Sequence, residues 1–223
     1  MTLDLSRTAV VAVDLQQDCI SQSGSWPILD GEALVDNAAI ALEACRARAL
    51  PIIYTQHWLD PRGLDALLHE PLIDGRPTHG IAGEANSAFH PRLLPGERDI
   101  IVRKQRWSGF HQTNLDLILR RMDVNHLIMF GIWSEACFET TVWDAIARDY
   151  RITIVKDACA TATELMHMTA ILDLANWLYD GSIINAQDLA KCLRGETHKI
   201  WKFEHPAAFA YTLENIRELY TSI

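Results

Sequence analysis

The sequence predicts a doubly wound α/β fold: a mainly parallel, six-stranded sheet with helices on both faces. Three observations lead there. Six short runs are apolar and β-branched, without the polar alternation of a half-exposed strand, so each reads as a strand buried on both faces. The segments between them space their apolar residues three and four apart, as amphipathic helices do. The two kinds of segment alternate along the chain, the order that a parallel sheet crossed by helices requires.

The elements follow in order. "TAVVAV" (8–13) is the first strand, and the helix over 31–48 gathers Leu34, Ala38, Leu42 and Cys45 on one face. "LPIIYT" (50–55) is the second strand. Residues 58–98 break the rhythm with Pro61, Pro71, Pro77 and several glycines. A connection that long is expected to serve as a lid or pocket wall, or to contain short helices of its own. "DIIVR" (99–103) is followed by a helix over 114–122, capped by Thr113, with Leu115, Ile118, Leu119 and Met122 facing the core. "HLIMFGI" (126–132) leads into a helix on which Phe138, Val142 and Ala145/Ile146 align. "RITIVK" (151–156) precedes a helix over 163–178 that buries Leu165, Met168, Leu172 and Ala175, and "GSIIN" (181–185) is the sixth strand. The main domain is therefore expected over 1–195, with 196–223 as a C-terminal arm. In that arm Pro206 suits a first helical turn, and Phe209, Leu213, Ile216 and Tyr220 make an apolar stripe. A neighbouring subunit of a homo-oligomer is the expected cover for the stripe, and the chain's own domain is the alternative.

At 223 residues and 49% hydrophobic, the chain can enclose one sizeable core. The formal net charge of -9 disfavours nucleic acid and anionic membranes as partners. No apolar stretch approaches a membrane span, and the first residues lack a signal-peptide layout. Five cysteines (19, 45, 137, 159, 192) include no C-x-x-C pair, which argues for a reducing cytoplasm rather than a disulfide framework.

In open α/β sheets, ligands bind beyond the carboxyl ends of the strands. Asp14 stands at the end of the first strand, Lys104 at the end of the third, and Cys137 one turn beyond the fourth. An acid, an ammonium and a thiol on one edge are a nucleophile and its acid–base partners. With Ser134 as N-cap, Cys137 falls at the third helical position, where the helix terminus and Lys104 would both favour a thiolate. Each residue alone also suits a plainer role: a packed cysteine, a loop-capping aspartate, a solvated lysine. Cys45, Cys159 and Cys192 read as packing residues. Trp58, Trp107 and Trp133 follow strand ends and either line one pocket or pack elsewhere. Gln16, two residues past Asp14, either orients substrate or lies at the surface. Arg106, two past Lys104, shares its side if the chain stays extended; there it would either bind a substrate carboxylate or pair at the surface.

The blocks "AVVAVDLQQD", "IIVRKQRWSGFHQTNLD" and "GIWSEACFETTVWDAIARDYRITIVKDACAT" resemble those of the isochorismatase-like cysteine hydrolase superfamily, over roughly residues 7 to 193. That group includes nicotinamidases, N-carbamoylsarcosine amidohydrolase and ureidoacrylate amidohydrolase. The resemblance implies an Asp14–Lys104–Cys137 triad. It also implies a non-proline cis peptide between Ile132 and Trp133, with the Trp133 and Cys137 amides forming an oxyanion hole. The implied activity is hydrolysis of a C–N bond in a small amide, carbamoyl or ureido compound, without a cofactor. Three departures bear on substrate and metal. Leu59 stands where nicotinamidases have a metal-binding His, so no metal is expected, although His57, Asp60 and His79 could regroup around one. Cys19 replaces the usual ring-stacking Phe, and Cys137 itself argues against vinyl ether cleavage, because isochorismatases lack that cysteine. The stretch around Arg106 is similar to ureidoacrylate hydrolases, which implies an acidic substrate. The competing possibilities are a metal-assisted nicotinamidase-type amidase and a catalytically idle member that binds a metabolite or serves in an assembly.

Overall fold

The computed structural model describes residues 4–223. Its strands are β1 (Thr8–Val13), β2 (Ile52–His57), β3 (Ile100–Lys104), β4 (His126–Ile132), β5 (Arg151–Ala160), β6 (Ser182–Ile184) and β7 (Trp201–Lys202). They form one sheet in the order β3-β2-β1-β4-β5-β6-β7. The first six are parallel to their neighbours, and β7 runs antiparallel to β6. The six expected strands are thus joined by a seventh from the arm. With only two residues, Trp201 and Lys202, it has no periodicity to betray it.

The helices are α1 (Gln17–Ile20), α2 (Gly31–Ala47), α3 (Leu115–Arg121), α4 (Glu139–Ile146), α5 (Glu164–Ala175), α6 (Ala186–Arg194) and α7 (Ile216–Ser222). Two pairs, α2 with α6 and α4 with α5, flank the sheet against β5. Every residue of β1 and β4 is buried, which is why both read as unbroken apolar runs. From β1 the chain winds one way through β2 and β3, and from β4 the other way through β5 and β6. The carboxyl ends of β1 and β4 therefore bound the switch point of the sheet.

The contact between those two strands is unusually close at one place. The β4–β5 register shifts between Met129 and Gly131, and Gly131 has φ +134. A Cβ there would lie 2.1 Å from the Val13 carbonyl oxygen, immediately before Asp14.

Three sequence expectations change. Asn114, not Thr113, precedes α3, although the Thr113 hydroxyl still accepts the Leu115 N–H. Leu165 is 41% exposed, because the buried face of α5 is set by Met168, Ile171, Leu172 and Ala175. The larger change is in the arm. No helix begins at Pro206: Ala207 takes φ 53, and Asn176 at the end of α5 clasps extended chain through Phe209 N–H (2.7 Å) and Phe209 C=O (3.1 Å). Only α7 is helical, and Ile216 packs on Met168 and Leu172 with Phe209 and Tyr220 alongside. Leu213 stays 82% exposed. Apart from Leu213, the arm's apolar stripe is taken up by the chain's own α5, the alternative cover that the sequence offered.

Gly131→Ala should lower the unfolding free energy by about 2 kcal/mol or more, because β1 or β4 must move to admit the methyl group. Urea denaturation would check this, and a midpoint equal to that of the parent would mean that the strands give way freely.

Candidate active site

Asp14 follows β1 in a left-handed conformation, φ 50, which a short polar side chain tolerates. The turn holds its carboxylate over the sheet edge. Asp14 Oδ1 accepts the Thr55 hydroxyl at 2.7 Å, and Oδ2 lies 2.6 Å from Lys104 Nζ. Lys104 ends β3, two strands away; at roughly 4.8 Å per strand, its long stem is needed to span that gap. On the way Nζ passes His57 Nδ1 at 3.4 Å and donates to the Arg106 carbonyl at 3.0 Å. Lys104 is wholly buried, and its pKa is nonetheless raised: burial opposes the charge, but the Asp14 carboxylate and the Cys137 sulfur beside it outweigh that.

Cys137 sits in a π-helical turn, Ser134–Phe138, between β4 and α4. The peptide before Trp133 is cis, and the Trp133 carbonyl accepts the N–H groups of both Ala136 and Phe138. Donor atoms of Asp14, His57 and Cys137 lie within 4.8 Å of one another. Burial, reinforced by Asp14 and countered by Lys104, pushes the Cys137 thiol up to about 12. That direction runs against the expectation of a resting thiolate, because burial opposes the charge more than Lys104 favours it. Ser134 is not the N-cap either; Trp133 occupies that position with no side-chain cap. Burial and Lys104 hold His57 well below the usual histidine range, so it is neutral. A buried thiol is thus placed against a carboxylate and an ammonium at the switch point, an arrangement able to attack a carbonyl and pass a proton to and fro.

Residues 8–187 match the Isochorismatase domain. The chain belongs to the isochorismatase family. Among its relatives, a probable inactive nicotinamidase from Arabidopsis thaliana is 31% identical over 76% of this chain and 88% of its own length. Ureidoacrylate amidohydrolase RutB from Agrobacterium fabrum is 28% identical over 71% of this chain and 78% of its own. The crystal structure of N-carbamoylsarcosine amidase from Thermoplasma acidophilum superposes with a TM-score of 0.67 at 26% identity, covering 81% of this chain and 96% of that one.

A metal, which the sequence comparison raised for nicotinamidases, does not fit this member of the family. Among the described residues, the cluster able to ligate one is Asp14, His57 and Cys137. The Lys104 ammonium already lies 2.6 Å from Asp14 and 3.4 Å from His57, so a second cation would meet it at contact distance. The alternative residues His57, Asp60 and His79 do not form such a cluster among the described residues. Asp60 is bound by Arg62, and His79 is stacked between Trp26 and His57.

The other expected site residues divide. Trp133 is half-buried at the edge of the Ser134–Phe138 turn and donates to Cys19 Sγ at 3.2 Å. Arg106 is half-buried close to His57, and its Nη1 donates to the Asp65 and Gln105 carbonyls, both at 2.7 Å. Gln16 is not placed to orient a substrate. Its amide is occupied by His57 N–H (2.7 Å), His57 C=O (3.0 Å) and Ser87 C=O (2.8 Å), so it ties β1 to β2 and to the 85–87 turn. Trp58 lies under the Arg103 guanidinium, 4.3 Å from its ring centre, and Arg103 points to the opposite face of β3 from Lys104. Trp107 is 56% exposed, because the chain turns after Lys104 and puts Ser108, Gly109 and Phe110 inside instead.

Sequence reasoning missed Thr55, which anchors Asp14, and gave His57 only a metal's role. Both stand at the carboxyl end of β2, beside β1, and the strand-end rule that found Asp14 applies to them equally.

Lys104→Met should cost about 3–5 kcal/mol in unfolding free energy, since it leaves Asp14 buried without its counterion. Adding Asp14→Asn to that variant should recover part of the loss, because the two groups act as a unit. Denaturation curves of the two single variants and the double variant measure this; strictly additive losses would show the pair to be uncoupled.

Proposed function

We propose that the protein is a cysteine-dependent hydrolase that cleaves a C–N bond in a small amide, carbamoyl or ureido compound. The observation that carries this reading is the buried thiol held against the Asp14–Lys104 pair at the switch point of the sheet. Similarity to a ureidoacrylate amidohydrolase and to an N-carbamoylsarcosine amidase supports the bond type.

In this mechanism Cys137 Sγ attacks the carbonyl carbon while Asp14 takes the thiol proton. The negative charge develops on the substrate oxygen, for which the Trp133 and Cys137 amides are the donors. Collapse expels the nitrogen, which receives the proton from Asp14, and leaves a thioester. Asp14 then removes a proton from water as it attacks the thioester, and the sulfur leaves and recovers a proton. Lys104 stays paired with Asp14 and holds its carboxyl group in place between the proton transfers. No cofactor or metal takes part. The five free thiols suit the cytoplasm. Among the described residues only Nη1 of Arg106 donates a hydrogen bond, and we assign its Nε–Nη2 edge to a carboxylate of the substrate.

Cys137→Ala should abolish turnover in a screen that follows ammonia release from small amides, ureas and carbamoyl acids. Asp14→Asn should lower kcat by roughly 10²–10⁴-fold. More than about a tenth of the parent rate in Cys137→Ala would overturn the mechanism, since loss of a covalent nucleophile leaves far less. If no compound in the screen is hydrolysed and iodoacetamide shows no preference for Cys137, the reading of an idle, ligand-binding member prevails, as the inactive Arabidopsis relative would suggest.

Arg106→Ala should raise KM for an anionic substrate well above its effect on the neutral amide analogue, with kcat little altered. Equal effects on both compounds would remove Arg106 from substrate recognition.

A further inference from the structure

Ser134 opens the turn that carries the nucleophile, and it is fully buried. A serine there usually bonds to the backbone of its own helix start. This one turns to a different element: its hydroxyl lies 2.8 Å from His167 Nδ1, on α5. The other ring nitrogen, Nε2, lies 2.9 Å from the Tyr220 hydroxyl on α7. Burial, aided by nearby Lys156, lowers His167 to about 4, so the imidazole is neutral, with one nitrogen donating and the other accepting. Both nitrogens end on hydroxyls, and one of those hydroxyls is three residues from Cys137.

The arm is fastened where this chain of bonds begins. Lys156 Nζ donates to the Tyr220 carbonyl at 2.9 Å and lies 4.5 Å from the centre of its ring. The Arg217 guanidinium grips Glu164 on α5, with Nη2–Oε2 at 2.7 Å, and the Tyr211 hydroxyl donates to Asp173 at 2.7 Å. These contacts aim the Tyr220 hydroxyl and leave it little freedom. Packing alone would be served by phenylalanine at 220 and by an apolar residue at 167. A polar chain ending on the nucleophile turn has a more specific use, because positioning errors near 1 Å can cost on the order of a hundredfold in rate. Tyr220 lies outside residues 8–187, so the arm would supply to the site something that the matched domain does not contain.

We propose that Tyr220 and His167 are positioning residues: through a Tyr220–His167–Ser134 hydrogen-bond relay, the C-terminal arm fixes the turn that holds Cys137 against Lys104 and Asp14. The inference rests on the reading of Cys137 as nucleophile.

The test uses the full chain with Tyr220→Phe, Ser134→Ala, their double variant, His167→Asn and His167→Ala. Iodoacetamide is the probe, with labelling of Cys137, Cys45 and Cys159 followed separately by peptide mass spectrometry. Tyr220→Phe and Ser134→Ala should each slow Cys137 labelling by about threefold to tenfold, the size of one lost neutral hydrogen bond. Labelling of the buried Cys45 and Cys159 should not change. The double variant should be no slower than the slower single, since both cut the same chain. His167→Asn, whose amide can replace Nδ1, should retain more Cys137 reactivity than His167→Ala. On a substrate found by the amide screen, kcat should fall in the same order with KM within about twofold.

Cys137 rates within twofold of the parent in both single variants would overturn the relay. So would multiplied losses in the double variant, or faster labelling of Cys45 and Cys159 in step with Cys137, which would mean general loosening. A parent protein that labels at Cys137 but hydrolyses no amide would count against the catalytic reading, and the labelling comparison would still decide the relay.

Discussion

The contact between Asp14 and Lys104 is the interaction on which the rest of the site depends. Neither charge could be kept at such depth alone, since removing a carboxylate or an ammonium from water costs several kcal/mol even after relaxation. Together they are tolerated, and their need for each other fixes the geometry of three strand ends. Asp14 leaves β1 and Lys104 leaves β3, while Thr55 and His57 stand on β2 between them. A slip of one residue in β3 would turn Lys104 to the opposite face of the sheet and leave Asp14 unpaired. The ion pair therefore selects the strand register as well as serving the proposed chemistry.

The same pair bears on the thiol, whose ionisation burial opposes. A resting thiolate would set two buried anions against one ammonium; with the sulfur neutral, the carboxylate and the ammonium balance. Neutral His57 adds no charge to upset that balance. In the proposed mechanism, attack moves the proton from sulfur to Asp14 and puts the new negative charge on the substrate oxygen, beside backbone amides. Charge then appears where fixed dipoles can meet it and not where burial opposes it. On that proposal, activation belongs to the acid–base partner rather than to a pre-ionised sulfur.

How much of this was legible in the sequence follows from what each feature depends on. The parallel sheet was readable because β1 and β4 are buried on both faces and must be continuously apolar. Asp14, Lys104 and Cys137 were readable because the carboxyl edge of such a sheet is where ligands meet it. The plain strand-end rule went further than it was taken, since Thr55 and His57 satisfy it too. What escaped depends on side-chain direction, which a linear pattern does not encode. Trp107 follows Lys104 by three residues, yet the turn at 105–109 faces it outward. Gln16 follows Asp14 by two, yet its amide is drawn into the backbone of β2 and the 85–87 turn. Ser134 has the composition of a cap, yet its hydroxyl finds an imidazole on another helix.

The arm makes the same point about surfaces. An apolar stripe says that something must cover it, and says nothing of what. Here the physical contest favours the chain itself. Folding a tethered segment of some twenty residues onto α5 costs a loop-closure entropy that grows only as the logarithm of its length. Recruiting a second chain costs an estimated 4–15 kcal/mol or more of lost translational and rotational freedom. The arm also meets polar partners on its own domain that fit its backbone and charges: Asn176 for Phe209, Glu164 for Arg217, Asp173 for Tyr211. Those contacts are directional, so the arm is held in one place rather than merely adsorbed. That fixed placement is what allows a hydroxyl as far along the chain as Tyr220 to come within two hydrogen bonds of the turn that carries Cys137.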